Sequence, residues 1–448
     1  MGQTEGNHCI CIGYRYAGTV IAKISDFKDR ASLFEAATLL KIHPDTIRRW
    51  EKKGLIKGER ESSGKRFFSL EEIDRTNKKY LKKGTTGGAY KILKAAKTKY
   101  KAVELFAGCG GLALGFKNAG IHSELLVERD RDCVETLKKN LPKTQVFGED
   151  VAKIDFRPWK GSVDIVSGGF PCQAFSYAGH GKGFGDTRGT LFFEFARCVN
   201  EIRPKIALGE NVRGLLMHDN GRTLETMKKT LDELGYIVFT HLCRAQFLDV
   251  PQKRERLFII GMRKDAFPKD PSAYFPREKN YTVSLREALR NCPDSPGQKY
   301  PPRKAAVMQL IPEGGYWRDL PPLLQKEYMG ASYFLGGGKT GMARRLSWGE
   351  PSLTLTCNPA QKQTERGHPK ENRPLNVREY ARIQTFPDLW SFSGSVSSQY
   401  KQIGNAVPVN LGFHMGRCLI ATLEAKFDTA TMIEVKPKTA QEELALFC

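Results

Sequence analysis

AVELFAGCGGLALGF, residues 102–116, runs from an apolar segment through a glycine turn into a helical pattern. A strand ending in such a turn presents the amides of a helix N-terminus to a ligand at the carboxyl edge of a sheet. It is not the dinucleotide fingerprint GxGxxG, because Ala113 stands where the third glycine would fall. Apolar and amphipathic segments then alternate: SELLVE, DCVETLKKNL, DIVSGGF, TLFFEFARCVNEIRP, IALGENV, LETMKKTLDELG, IVFTHLCRA and RLFIIGM. That alternation predicts an α/β fold with a doubly wound, mostly parallel sheet. Glu128 ends the second strand, where an acid can take a pair of ribose hydroxyls, and Asp150 closes the third. The competing reading of both acids is helix capping.

GGFPCQAFSYAGHG, residues 168–181, is the second informative stretch. Cys172 follows a stiff Pro171 and precedes a glycine-rich run unsuited to regular structure, which predicts an exposed, shaped loop. A buried cysteine is ordinarily a small apolar filler, and the surroundings of Cys172 argue against that core reading.

The chain has 448 residues, enough for two or three domains, and a net charge of +22 that favours a polyanionic partner such as nucleic acid. Its 11 cysteines include no CxxC pair, as expected of reduced thiols in the cytoplasm. His8, Cys9 and Cys11 cluster without a second ligand pair, so no metal site is expected. No apolar run reaches membrane-spanning length and the N-terminus lacks the pattern of an export signal. GGGKTG, residues 336–341, fails as a phosphate loop because Tyr333 stands where a glycine is required.

The first 100 residues hold 22 Lys+Arg against 11 Asp+Glu. Within them the sequence predicts helix, turn, helix, hairpin, helix over residues 30–83: a capping box at Ser32 and Glu35, an apolar face of Ala36, Leu39 and Leu40, Pro44 opening a second helix, and Ser69 with Glu72 opening a third. HPDTIRRWEKKGLI and SGKRFFSLEEID resemble the winged helix-turn-helix DNA-binding domain of mercury-resistance-type regulators. The resemblance implies that the helix carrying Arg48 and Arg49 enters the major groove and that Lys65 and Arg66 of the wing touch the backbone. The N-terminal segment, residues 1–29, has no reading beyond some strand character in TVIAKI, and residues 84–99 have the composition of a linker followed by a short basic helix or arm.

From residue 100 onward, FAGCGG, VERD, GEDV, GGFPCQAFS, RGTLFFE, GENVRGL, VPQKRERLFIIG, REYARIQTFPD and QIGNAVP follow in order. Together they resemble the DNA cytosine-5 methyltransferases, over residues 101–262 and 374–425, especially the bacterial restriction-modification enzymes. The resemblance implies a Rossmann-like catalytic domain over 100–262 and 374–425, a target-recognition domain over 263–373 and a tail over 426–448. It implies S-adenosyl-L-methionine as cofactor, with contacts from Phe106, Gly108, Cys109, Glu128, Asp150, Val151, Pro171, Leu191, Asn405 and Ala406. Ala406 is a departure, since many members carry serine there. The implied chemistry has Cys172 attack C6 of a flipped cytosine, Glu210 act as the acid toward N3, Asn211 hold the active-site loop, and Arg254 and Arg256, two apart on a strand, project together toward base, loop or phosphate.

Arg344 and Arg345 are candidate DNA contacts in the recognition region. The expected partners are double-stranded DNA, methylated in a specific sequence by a monomer as protection against a cognate nuclease, and the protein's own promoter or operator, bound by the N-terminal domain. Two rival readings are a tRNA cytosine methyltransferase, whose Cys-Phe-Thr motif this chain lacks, and a transcription regulator with an inactive methyltransferase fold, which the intact Cys172, Glu210, Arg254 and Arg256 disfavour.

Overall fold

The computed structural model describes residues 30–40, 44–52, 54–61, 66–80, 85–171, 191–336 and 339–437. His8, Cys9, Cys11, Lys65, Cys172 and the side chain of Arg49 lie outside the described residues. The chain divides into two units, Met1–Lys83 and Gly84–Cys448.

The first unit follows the predicted order: β1 (Arg30–Ser32), α1 (Leu33–Leu40), α2 (Pro44–Lys52), β2 (Glu59–Arg60), β3 (Arg66–Ser69) and α3 (Leu70–Tyr80). The strands form one antiparallel sheet in the order β1-β3-β2. The capping box closes as read, with the Ser32 amide donating to Glu35 at 2.7 Å and the Glu35 amide to the Ser32 hydroxyl at 3.4 Å. Ala36, Leu40, Ile47, Ile56 and Phe68 fill the core, whereas Leu39, expected on the same face, is exposed. Leu39 precedes Leu40 by one position, about 100° around a helix, so the two cannot share a narrow stripe.

The second unit begins with β4 (Thr85–Thr86) and continues through β5 (Lys101–Leu105), α4 (Gly111–Ala119), β6 (His122–Val127), α5 (Arg131–Asn140), β7 (Gln145–Phe147), β8 (Ile165–Gly168), α6 (Leu191–Ile202), β9 (Ile206–Val212), α7 (Arg222–Glu233), β10 (Tyr236–Arg244), β11 (Gln252–Lys253) and β12 (Glu255–Arg263). Seven of these strands form one sheet in the order β10-β12-β9-β8-β5-β6-β7. The five from β9 to β7 are parallel, and β12 alone runs against its neighbours β9 and β10. Alternate residues feed two cores on opposite faces. Val103, Leu105 and Val166 pack with α6 and α7, while Ala102, Ile165 and Leu208 pack with α4. Burial on both faces is why these strands read as nearly continuous apolar runs.

The remainder comprises β13 (Ala273–Pro276), β14 (Tyr281–Thr282), α8 (Leu285–Ala288), α9 (Pro302–Gln309), α10 (Pro322–Met329), β15 (Ser352–Leu353), α11 (Val377–Ile383), α12 (Val396–Asn405), α13 (Val409–Glu424) and β16 (Met432–Val435). Helix α13 lies against α4 with glycine facing glycine: a Cβ on Gly115 would stand 2.7 Å from the Gly412 backbone, and one on Gly111 would stand 2.2 Å from the Val407 carbonyl oxygen. No helix of the described residues is long and apolar enough to cross a membrane.

Three expected boundaries move. Residues 85–99 are neither a free linker nor a helical arm but a strap of extended chain. β4 pairs with β14, the Tyr90 hydroxyl donates to the Arg382 carbonyl at 3.1 Å, Asn410 brackets the strap through Lys91 and Leu93, and the Ala95 and Thr98 amides donate to the Asn118 and Gly120 carbonyls. Partners from across the unit satisfy its backbone, which a helix would have satisfied internally. The recognition region has its own core only from Tyr300 to Ala360, because β13 belongs to the α13 core and Leu285 and Leu289 pack with α11 and α12. The expected tail is structured through β16, which pairs with β13. Since α4 and α13 meet without room for a side chain, Gly115→Ala should lower stability by about 1–3 kcal/mol. Urea denaturation followed on the second unit checks this, and an unchanged midpoint would contradict the close crossing.

Candidate active site

The parallel strands end at one edge of the sheet, and most of the implied site residues collect there. β5 leads into a turn in which Phe106, Gly108 and Gly110 have φ of 58°, 54° and 86°, and Gly110 caps α4 with no side-chain hydrogen bond. A Cβ on Gly108 would meet nothing within 4 Å, so the turn opens into free space. Glu128 braces it, accepting from the Gly108 amide at 2.8 Å and from the Arg129 and Asp130 amides at 2.9 and 2.7 Å. A carboxylate has about four acceptor sites, so Glu128 retains capacity for a ligand.

Asp150 caps the turn Val151–Lys153 by accepting from the Ala152 amide at 3.1 Å, and the carbonyl of buried Val151 is held by Arg197 at 2.8 Å. Cys109 turns its thiol inward to the Gln402 carbonyl at 3.3 Å, and burial pushes that thiol far above its ordinary range. Only the backbone of Cys109 is therefore presented at the turn.

On the next two strands the sheet edge becomes polar. Phe170, wedged between Phe192 and Phe195 with ring centroids 5.2 and 5.4 Å away, anchors the approach to Cys172. Its carbonyl accepts from the Asn211 amide nitrogen at 2.8 Å, and the Asn211 oxygen accepts from the Val212 amide at 2.9 Å. Pro171 is exposed, and Leu191 opens α6, packed on the first core. Glu210 of β9 pairs with Arg256 of β12 at 2.7 Å, both side chains 12 % exposed, and a Cβ on Gly169 would stand 3.0 Å from the second Glu210 oxygen. Burial lowers the pKa of the Arg256 guanidinium.

Arg254 does not project beside Arg256 as the strand spacing implied. It sits in the break between β11 and β12, 1 % exposed, and donates to the Gly404 carbonyl at 3.1 Å and to the Leu355 and Asn405 carbonyls at 3.4 Å. It thus clamps the end of α12, where Asn405 accepts from the Cys357 thiol at 3.1 Å and Ala406 stands beside Gly111.

Among the recognition-region arginines, Arg345 needs correction. Arg345 is buried and commits four of its five N–H donors to the carbonyls of Ile311, His368, Glu371 and Met308, so its guanidinium is spent on the protein's own backbone. Arg344 lies over the Tyr316 ring at 5.7 Å and is half-buried. In the first unit Arg48 is exposed on α2, but Arg66 is paired with Glu51 at 2.8 Å, so the described part of the wing turns this charge onto its own helix.

Sequence reasoning missed two features. Gln252 and Gln384 form a buried amide relay: Gln252 donates to Gln384 at 2.8 Å and accepts from the Leu355 amide, while Gln384 donates to the Ile403 and Ala406 carbonyls. Both lie inside motifs already quoted, VPQKRER and RIQTFPD, where nothing in the neighbouring residue types marks a glutamine as buried. The other is Glu104, in the middle of β5, 3 % exposed beside Ser167 of β8, each with a side-chain oxygen lacking a hydrogen-bond partner.

These positions fit one chemistry, and comparison with known proteins agrees. Residues 100–421 match the model of the C-5 cytosine-specific DNA methylases. The chain belongs to that family. The methylase is 52 % identical to the Type II methyltransferase M.Eco47II of Escherichia coli, over 89 % of this chain and 97 % of that one, and 49 % identical to M.Sau96I of Staphylococcus aureus, over 72 % and 76 %. A solved putative DNA modification methyltransferase from an E. coli prophage shares the fold, with a TM-score of 0.53 at 24 % identity, over 73 % of this chain and 100 % of that one. Residues 35–68 match the MerR family regulatory proteins, in agreement with the helix-turn-helix of the first unit. The methylase is accordingly a cytosine-C5 DNA methyltransferase related to the modification enzymes of restriction-modification systems.

Burial, with the Glu128 and Glu210 carboxylates nearby, raises the Glu104 carboxyl from 4.5 to about 8. The folded chain keeps this proton up to about pH 8, whereas the unfolded chain has lost it above 4.5, so stability falls as pH rises through that window. Glu104→Gln removes this dependence. Its stability relative to wild type, read from urea midpoints, should grow by up to about 1.4 kcal/mol per pH unit across the window, and a difference flat in pH would contradict it.

Proposed function

We propose that the methylase takes its methyl group from S-adenosyl-L-methionine and places it on C5 of a cytosine flipped from a specific double-stranded DNA sequence, protecting host DNA from a cognate nuclease. One observation carries the assignment of residues: adjacent side chains of β9 perform two tasks, Glu210 pairing with Arg256 at 2.7 Å while Asn211 holds the Phe170 carbonyl, two residues before Cys172.

Cytosine C5 is a poor nucleophile, and attack at C6 by a thiolate activates it. Only a few per cent of an ordinary thiol is ionised at pH 7, so the loop must favour the Cys172 thiolate. As that sulfur bonds to C6, electron density moves to N3, where Glu210 supplies a proton or a strong hydrogen bond. Arg256 fixes the orientation of Glu210, and Asn211 anchors the start of the nucleophile's loop. Loss of the C5 proton after methylation expels Cys172 and restores the aromatic ring. Arg254 acts at one remove, by holding the Asn405 end of α12.

The open turn at Gly108, the uncapped start of α4 and the spare acceptor capacity of Glu128 fit an adenosine-containing group. Glu128 would take the ribose, with Asp150, the Phe106–Cys109 backbone, Pro171, Leu191 and the Asn405–Ala406 turn around it. S-adenosyl-L-methionine bound there supplies an electrophilic methyl group. The family's common serine hydroxyl is absent at Ala406, so contact on that side falls to the backbone.

The first unit, with Arg48 exposed on α2 and a MerR match over 35–68, is proposed to bind the protein's own promoter or operator. Catalysis is assigned to a monomer in the cytoplasm.

Expressed in a host without cytosine methylation, the methylase should leave one sequence context protected in bisulfite sequencing. Glu210→Gln should reduce methyl incorporation by about 10²-fold or more, and incorporation equal to wild type would remove Glu210 from the mechanism. Deleting residues 1–83 should abolish repression of a reporter driven by the methylase promoter, and unchanged reporter output would contradict the regulatory assignment.

A further inference from the structure

Beside the Glu210–Arg256 pair the same sheet edge carries a cleft of about 360 Å³, whose lining includes Arg213, Arg244, Gln246, Lys253, Glu255 and Arg256. The topology assembles it. Arg213 follows β9, Arg244 ends β10 and Lys253 ends β11, while β12 runs antiparallel to both β9 and β10, so its first residues lie where those strands finish. The register places Arg244 opposite Glu255, and Arg256 opposite Val212.

Arg256 is committed to Glu210. Arg213, Arg244 and Lys253 are 55 %, 46 % and 40 % exposed, and each is held by a carboxylate: Arg213 by Glu255 at 2.9 Å, Lys253 by Glu350 at 2.7 Å and Arg244 by Glu278. Exposed ion pairs of this kind are weak and screened by salt, so they orient the cations without consuming them. The cleft therefore offers three oriented cations beside the acid assigned to the target base, and the exposed Val212 leaves its mouth open. A polyanion whose charges repeat along a chain matches that arrangement better than a single small anion.

We propose that this cleft is a phosphate subsite in which Arg213, Arg244 and Lys253 receive backbone phosphates of the DNA strand next to the nucleotide that enters the Glu210 pocket. It rests on the reading of Glu210 and Arg256 as that pocket. The subsite contributes affinity and register without reading sequence, since phosphates carry no base identity.

Counterion release makes the subsite measurable, because each lost phosphate contact reduces the slope of log affinity against log salt by about 0.9. Binding of the full chain to a short duplex carrying the sequence context it methylates, followed by fluorescence anisotropy across a salt titration, should show that loss for Lys253→Met and again for Arg213→Met. Lys253→Arg should keep the wild-type slope. Lys264→Met, which removes a cation paired with Asp232 just past the far end of β12, should keep it as well. An unchanged slope in both cleft variants overturns the proposal, as does an equal loss in Lys264→Met, which would signal net charge alone, or in Lys253→Arg, which would signal a structural defect. Methyl transfer by Glu210→Gln tests the base pocket and the salt slope tests the cleft, so either reading can fail without the other.

Discussion

The crossing of α4 and α13 is the contact on which the site depends. Gly115 meets Gly412 and Gly111 meets the Val407 carbonyl at distances that exclude any side chain. This brings the end of α12 against the glycine turn of β5, joining positions some three hundred residues apart in the chain. Arg254 then clamps the Gly404 and Asn405 carbonyls, and two residues further along Arg256 grips Glu210. A close helix crossing is thus linked, through one buried guanidinium, to the placement of the acid. A cation as buried as Arg254 is retained only where several carbonyls offset its lost hydration.

The catalytic fold was legible because its strands are buried on both faces and its turns carry glycines that the backbone needs. The turn at Gly108 and Gly110, both with positive φ, was implicit in FAGCGG, whereas the positive φ of Phe106 was not, and the acids at the strand ends stand where that reading put them. The order of nine motifs then carried the family. What the sequence hid was mostly the fate of arginines and of extended chain. Arg254, Arg345 and Arg366 look like surface cations in a basic protein, yet each is buried on backbone carbonyls, which leave no pattern in side-chain types. The strap over residues 85–99 was hidden for the same reason: its partners are the Asn410 amide and main-chain groups far away in sequence. Spacing alone also placed Arg254 and Arg256 on one strand face, because the break between β11 and β12 has no glycine or proline to announce it.

Charge is divided between tasks. The strap lysines Lys91, Lys94, Lys97 and Lys99 are exposed and lead into the amino end of β5, the edge opposite the glycine turn. At the catalytic edge Arg213, Arg244, Lys253 and Arg256 are each held by an acid. Beneath them Glu104 keeps a neutral carboxyl on the central strand at neutral pH.

In the proposed reaction a thiolate from the loop after Phe170 adds to the cytosine that Glu210 receives. The most direct measurement uses a duplex carrying 5-fluorocytosine at the target position, together with the methyl donor. Fluorine cannot leave C5 as a proton does, so the sulfur–carbon bond at C6 persists once methyl transfer has occurred. Wild type should form a protein–DNA adduct that survives denaturing electrophoresis, and Cys172→Ala should form none. An adduct of equal yield in Cys172→Ala, or none in an active wild-type preparation, would contradict the account.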